Sequence, residues 1–142
     1  MGSFKFLEHI SDVYIEVQAK NLSEAFEEAA KAVYATMTNL KHIEPLIKHE
    51  VRLMAEDREA LLFDWLGELI YIFDTKNLIF SKIKINELKS INGKFKLYGE
   101  LWGEEFDPQK HESKTEIKAP TYSLMEIKIA SNNVVLRFVL DI

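Results

Sequence analysis

Residues 77–103 read NLIFSKIKINELKSINGKFKLYGELWG. Ile83 and Ile85 alternate with Lys82 and Lys84; beyond Asn92-Gly93, Phe95 and Leu97 alternate with Lys94 and Lys96. Period two on both sides of an Asn-Gly pair is the pattern of a long antiparallel hairpin, because Asn and Gly tolerate the positive φ angles of a tight two-residue turn. The lysines of the two arms face one another as a basic stripe. An exposed sheet face or a guarded edge accounts for such a stripe; a binding surface is the other reading.

Upstream, the period changes. DREALLFDWLGELIYIFD (57–74) places Leu62, Trp65, Leu66, Leu69, Ile70 and Phe73 on one broad helical face, with Asp57 in position to cap it. Gly67 lies inside this helix, where it costs roughly 1 kcal/mol relative to Ala unless close packing requires it. KHEVRLMAED (48–57) reads as a strand with Val51, Leu53 and Ala55 on one side. NLSEAFEEAAKAVYATMT (21–38) reads as another helix, with Asn21 as N-cap, Glu24 three residues on, and an apolar face of Leu22, Phe26, Ala29, Ala30, Val33 and Met37. Its Glu24, Glu27, Glu28 and Lys31 are expected on a solvated face. FKFLEHISDVYIEVQAK (4–20) contains two strand-like pieces separated by a turn or bulge.

Downstream, GEEFDPQKHESK (103–114) reads as a polar loop. TEIKAPTYSLMEIKIA and NNVVLRFVLDI then form a last strand pair around an Asn132-Asn133 turn. The order is strands, helix, strand, helix and a run of strands. That is α+β: two helices packed on mostly antiparallel β-sheet, in a single domain spanning 1–142.

Composition narrows the function. At 47% hydrophobic over 142 residues, the chain can bury a core of its own. With no cysteine, it has neither a disulfide framework nor a thiolate metal site. No apolar run has the length of a membrane span, and the N-terminal residues lack the pattern of a secretory signal, so a cytoplasmic protein is expected. The net charge of −5 argues against strong direct binding to nucleic acid, although a local basic patch remains able to touch RNA. Phosphate-loop, dinucleotide, zinc-protease and serine-hydrolase motifs are absent. His9, His42, His49 and His111 are scattered.

Acid placement is what remains. In the terminal strand Val134, Leu136, Phe138, Leu140 and Ile142 share an apolar face, while Val135, Arg137, Val139 and Asp141 share the other. Arg137 lies about 13 Å along the strand from Asp141, too far to pair with it naturally. The α-carboxylate of Ile142 follows at once, and two carboxylates so close repel unless a cation offsets them. If the first and last strands are neighbours, Asp12 converges on Asp141. Such a site is all oxygen, which suits calcium, magnesium or manganese rather than zinc. His9 joins it only if the chain bends. Two solvated acids at strand ends are the plainer alternative.

FLEHISDV (6–13), the helix of residues 21–38, LLFDWLGELIYIFD (61–74), EIKAPTYSL (116–124) and the closing VLDI together resemble the archease family, in order and over essentially the whole chain. The resemblance implies a small α+β protein that is an activator rather than an enzyme. Its partner would be the catalytic subunit of the GTP-dependent RNA ligase of tRNA splicing. It would promote guanylylation and multiple turnover of that ligase and broaden its nucleotide use. The resemblance further implies a divalent metal, calcium foremost, held by Asp12, Asp141 and the carboxylate of Ile142, with Lys118 and His9 as contacts to partner or phosphate. A chaperone-like modulator of RNA-modifying enzymes, such as a tRNA methyltransferase, is the alternative. A metal-dependent hydrolase lacks an evident general base beside the acids. Ile10, Ser11, Gly67, Pro120 and Ser123 depart from the residues common in the family, so no role for a histidine at position 123 carries over.

Overall fold

Both helices lie between two antiparallel sheets. The computed structural model describes residues 2–8 and 11–142. The elements run β1 (Ser3–Leu7), β2 (Asp12–Ala19), α1 (Leu22–Met37), β3 (Ile47–Ala55), α2 (Arg58–Lys76), β4 (Leu78–Ile91), β5 (Lys94–Glu105), β6 (Ala119–Ala130) and β7 (Asn133–Asp141). One sheet has the order β1-β2-β7-β6 and the other β3-β5-β4. The expected α+β class is therefore present, with its strands divided into two sheets, each antiparallel throughout.

The helices explain the division. α1 touches β1, β2 and β7 on one side and β4 on the other; α2 touches β6 on one side and β3, β4 and β5 on the other. A helix covered on two sides must be apolar around most of its girth. α1 meets this with alanine, burying Ala25, Ala29, Ala30 and Ala32 alongside Phe26, Val33 and Tyr34. Such short side chains let both sheets approach. α2 supplies the volume with Leu61, Leu62, Trp65, Leu66 and Leu69, all without exposed surface. The Trp65 ring crosses between the helices and its Nε1–H donates to the Phe26 carbonyl at 2.9 Å, so the largest core side chain leaves no polar atom unpaired.

Local signals act where the sequence places them. Asn21 and Asp57 cap their helices, accepting from the Glu24 and Ala60 amides at 2.8 Å each. Asn92 and Gly93 turn the β4–β5 hairpin with φ of 51° and 81°. In three places the sequence expectation is corrected. The last hairpin turns at Ser131-Asn132 rather than Asn132-Asn133, with the positive φ at Asn132. Its first arm begins only at Ala119, and its register breaks between Thr121 and Glu126, where Leu124 has φ 57°. Glu28 is not on a solvated face: it is buried beneath Gly2, burial raises its pKa, and Lys31 at 3.8 Å is its ion-pair partner. Glu27 likewise turns inward, its carboxylate accepting from the Ile85 amide at the β4 register shift.

Two glycines give opposite expectations for one substitution. At Gly103 an added Cβ would lie 1.8 Å from the Ile79 carbonyl oxygen and 2.6 Å from Phe80 Cα, whereas at Gly67 the nearest atom is Pro120 Cγ at an ordinary 3.8 Å. Close packing thus does not demand Gly67. Gly103→Ala is expected to cost about 3 kcal/mol or more by forcing β4 and β5 apart. Gly67→Ala is expected to stabilise by about 0.5–1 kcal/mol through helix propensity. Urea unfolding midpoints of the two variants check both signs.

Candidate functional site

The β2–β7 pairing sets Asp12 directly opposite Asp141, in the last rung of the ladder. Directly opposed residues of an antiparallel pair project from the same face with Cβ atoms about 4.5–5.5 Å apart. The expected neighbouring of these strands, and the meeting of the two acids, are therefore features of the fold. Across β7, Ala119 faces Asp141 from the other side, so that face narrows to a methyl group beyond the acids. Asp12 and Asp141 are half-buried, and Ile142 is 38% exposed. Among the described residues, no three His, Cys, Asp or Glu side chains converge as a complete metal-binding group. The acids thus make a two-carboxylate, all-oxygen donor set. Any further ligands would be main-chain oxygens, water or groups from a partner.

Lys118 is tied to the same end, since its amide donates to the Asp141 carbonyl at 2.8 Å while the residue itself stays exposed. His9 lies outside the described residues. Beside Asp12 a cleft of about 350 Å³ opens between strand and helix, walled by Leu7, Tyr14, Thr36 and Lys114. Its far wall was invisible in the sequence, because it belongs to the polar loop. The Lys114 and Thr115 amides donate to the Met37 and Thr36 carbonyls, satisfying acceptors that the end of α1 would leave without partners.

Four rungs inward on the same sheet face, beyond Tyr14–Val139, one carboxylate is held by two cations. Arg137 does not reach for Asp141. Its Nε and Nη2 both bond Glu16 Oε1, at 2.9 and 2.8 Å, on the neighbouring strand, and Lys5 approaches Glu16 Oε2 at 3.1 Å. Burial pushes the Glu16 pKa up, but hydrogen bonds from Lys5, Arg137 and Gln18 outweigh it and hold the carboxyl below its ordinary range. The cations of this rung are thus committed to Glu16, and the Tyr14–Val139 rung separates them from the opposed acids at the end of the sheet.

A second ionic cluster positions the loop that leads to Lys118. His111 is buried. Its Nδ1 accepts from the Asp107 amide at 2.9 Å, which places the proton on Nε2, and that nitrogen donates to Glu104 Oε2 at 3.0 Å. Glu104 also accepts from the Glu44 amide at 2.7 Å and from Lys110 at 2.9 Å. Burial alone would raise its pKa; these bonds instead lower it to about 2.

The Archease protein family (MTH1598/TM1083) matches residues 4–142. The chain belongs to the archease family. It is 41% identical over 143 residues to protein archease of Sulfurisphaera tokodaii and 37% identical over 143 residues to that of Thermococcus kodakarensis, with 100% of each chain covered in both comparisons. Among solved structures, protein 1598 of Methanobacterium thermoautotrophicum superposes with a TM-score of 0.83 at 32% identity over 98% of each chain. An archease of Thermotoga maritima, itself described as a possible chaperone, shares the fold with a TM-score of 0.51 at 22% identity over 97% of this chain and 96% of that one. The two-helix, antiparallel architecture is thus that of archeases. No described helix is long and apolar enough to cross a membrane.

The Glu104 cluster sets an acid limit on stability. Its folded pKa is about 2 against an ordinary 4.5, so its contribution is complete above about pH 4.5 and is lost as the pH falls towards 2. The shift corresponds to no more than about 3 kcal/mol. Glu104→Gln should therefore unfold at lower urea than wild type at pH 7, and the gap should shrink steadily in titrations down to pH 3.

Proposed function

We propose that this chain is an activating partner of the GTP-dependent RNA ligase of tRNA splicing, acting through a divalent cation at the Asp12–Asp141 end of the sheet. The observation that supports the reading is the register that sets these two carboxylates opposite each other. Like charges directly opposed across a strand pair are destabilising, and a hard cation relieves that repulsion. Asp12, Asp141 and the main-chain oxygens of Ile142 would hold the ion, calcium foremost, with magnesium or manganese as alternatives. Bound there, it would supply positive charge for phosphate groups or partner carboxylates.

The chain's own residues carry the remaining roles. Asp12 and Asp141 present an acidic tip at a cleft mouth. Lys118, anchored through its amide, offers a cation beside that tip for a phosphate or an acid of the ligase. Guanylylation is nucleotidyl transfer, and it needs phosphate charge neutralised and metal ions correctly placed. An accessory acidic tip that visits the nucleotide site can help to place them without performing chemistry itself. The contact is transient, because one activator serves repeated turnovers. The protein is on this reading a cytoplasmic activator and not an enzyme.

The competing reading, a chaperone-like modulator of RNA-modifying enzymes, draws on the exposed apolar pair Tyr122 and Leu124 at the β6 irregularity, where Tyr122 stacks on Phe63 of α2 at 4.3 Å. The readings separate on the acids. In ligation assays with limiting ligase, GTP, metal and RNA ends, wild type should support multiple turnover, and Asp12→Ala and Asp141→Ala should each lower the rate at least tenfold with unchanged circular dichroism. Full activity in both folded variants would discard the acidic-tip reading and favour the apolar surface.

A further inference from the structure

Both helices lie on the inner side of the β3-β5-β4 sheet, and among the described residues the loop of residues 107–111 reaches its outer face only at Glu104, the end of β5. Its central strand β5 carries two half-exposed aromatic rings, Tyr98 and Trp102, four residues apart and so about 13 Å from each other on one face. Around them β3 presents Lys48, Glu50 and Arg52, β4 presents Lys82, Lys84, Glu87 and Lys89, and β5 adds Lys96 and Glu100. That is six cations against three carboxylates, on a chain whose overall charge is −5. The basic stripe expected from the sequence is thus a mosaic with a local positive excess.

The pairing shows where the excess lies. Lys48 neutralises Glu100 at 2.5 Å, and Lys89 and Lys96 approach Glu87 at 3.4 and 3.6 Å. The remaining cations are engaged weakly. Arg52 lies 4.0 Å above the Tyr98 ring, with Glu50 at the 4.0 Å limit of an ion pair, and Lys82 lies 4.6 Å above the Trp102 ring. Lys84 acts on Glu100 only through its field. A cation over an exposed ring is held less strongly than a base stacked on the same ring. A base arriving on either ring would displace that cation, and the cation would then be beside the incoming phosphate.

We propose that the outer face of the β3-β5-β4 sheet, through Trp102 and Tyr98 with Arg52, Lys82 and Lys84, is a stacking platform for a single-stranded polynucleotide. Rings on a central strand flanked by cations fit unpaired bases, whose flat faces are free, and not a duplex, whose bases are stacked on one another. The contact is weak and salt-sensitive because only about three phosphates are neutralised and the rest of the chain is acidic. The face lies on the sheet that does not carry Asp12 and Asp141, so the proposal stands apart from the ligase reading.

Trp102 is its own reporter, since the second tryptophan, Trp65, has no exposed surface. Full-length protein is titrated with a 12-nucleotide oligo(U), an oligo(dT) of equal length and a blunt duplex of equal length, following tryptophan fluorescence and the anisotropy of an end label. Either single strand should quench Trp102 saturably, and the tighter one identifies the preferred sugar. Affinity should fall about tenfold between 50 and 200 mM salt. In anisotropy Trp102→Leu and Tyr98→Leu should each bind at least fivefold more weakly, and the surface change Lys84→Glu should weaken binding and flatten the salt dependence. Absence of saturable quenching by 1 mM of either strand at 50 mM salt would overturn the proposal. So would duplex binding as tight as single-strand binding, or unchanged affinity in folded Lys84→Glu and Trp102→Leu.

Discussion

Burial of a helix pair on two sides is the constraint on which this structure rests. A helix against one sheet needs a single apolar stripe; a helix between two sheets needs apolar surface over most of its circumference and side chains short enough to let both sheets close. The alanines of α1 and the Trp65 bridge to the Phe26 carbonyl meet those demands together. Everything functional follows from the layer order. Because the helices occupy the middle, each sheet keeps one face open to solvent, and the ends of the strands are not capped by the layer above.

The open faces are then distinguished by charge. On the β1-β2-β7-β6 sheet, Lys5 and Arg137 hold Glu16 in one rung, and the opposed acids stand four rungs away at the sheet end. On the other sheet, carboxylates and lysines are interleaved but unequal, and aromatic rings hold the surplus. One fold thus offers an acidic point and a basic plane on different layers. A chain of net −5 reveals nothing of this arrangement, because composition averages over surfaces that never meet.

What the sequence disclosed and what it withheld divide along the range of the interactions. The Asn92-Gly93 turn, the caps at Asn21 and Asp57, and the face parity of β7 depend on residues a few positions apart, so they were readable. Glu28 was misread because what covers it, Gly2, comes from the segment before β1, 26 residues away in the chain. His111 looked like one scattered histidine in a polar loop, since the sequence did not show that β5 runs on to Glu105 and fixes Glu104, seven residues before His111, as its partner. The break in β6 escaped because Leu124, at φ 57°, is not a residue that advertises a left-handed conformation. As for the acids, spacing made their meeting conditional on which strands pair, and only the topology supplied β2 beside β7.

That pairing has a kinetic side. β7 is made well after β2, and the Glu16–Arg137 contact alone closes a separation of 121 residues. Loop closure on this scale is entropically expensive and slow, and it cannot begin until the far strand exists. Until then β2 has a neighbour on one edge only, and an unpaired strand edge is a template for unwanted association. The acidic tip is therefore a late feature of folding: it comes into being only when the sheet closes, so a chain that displays it has passed its slowest topological step.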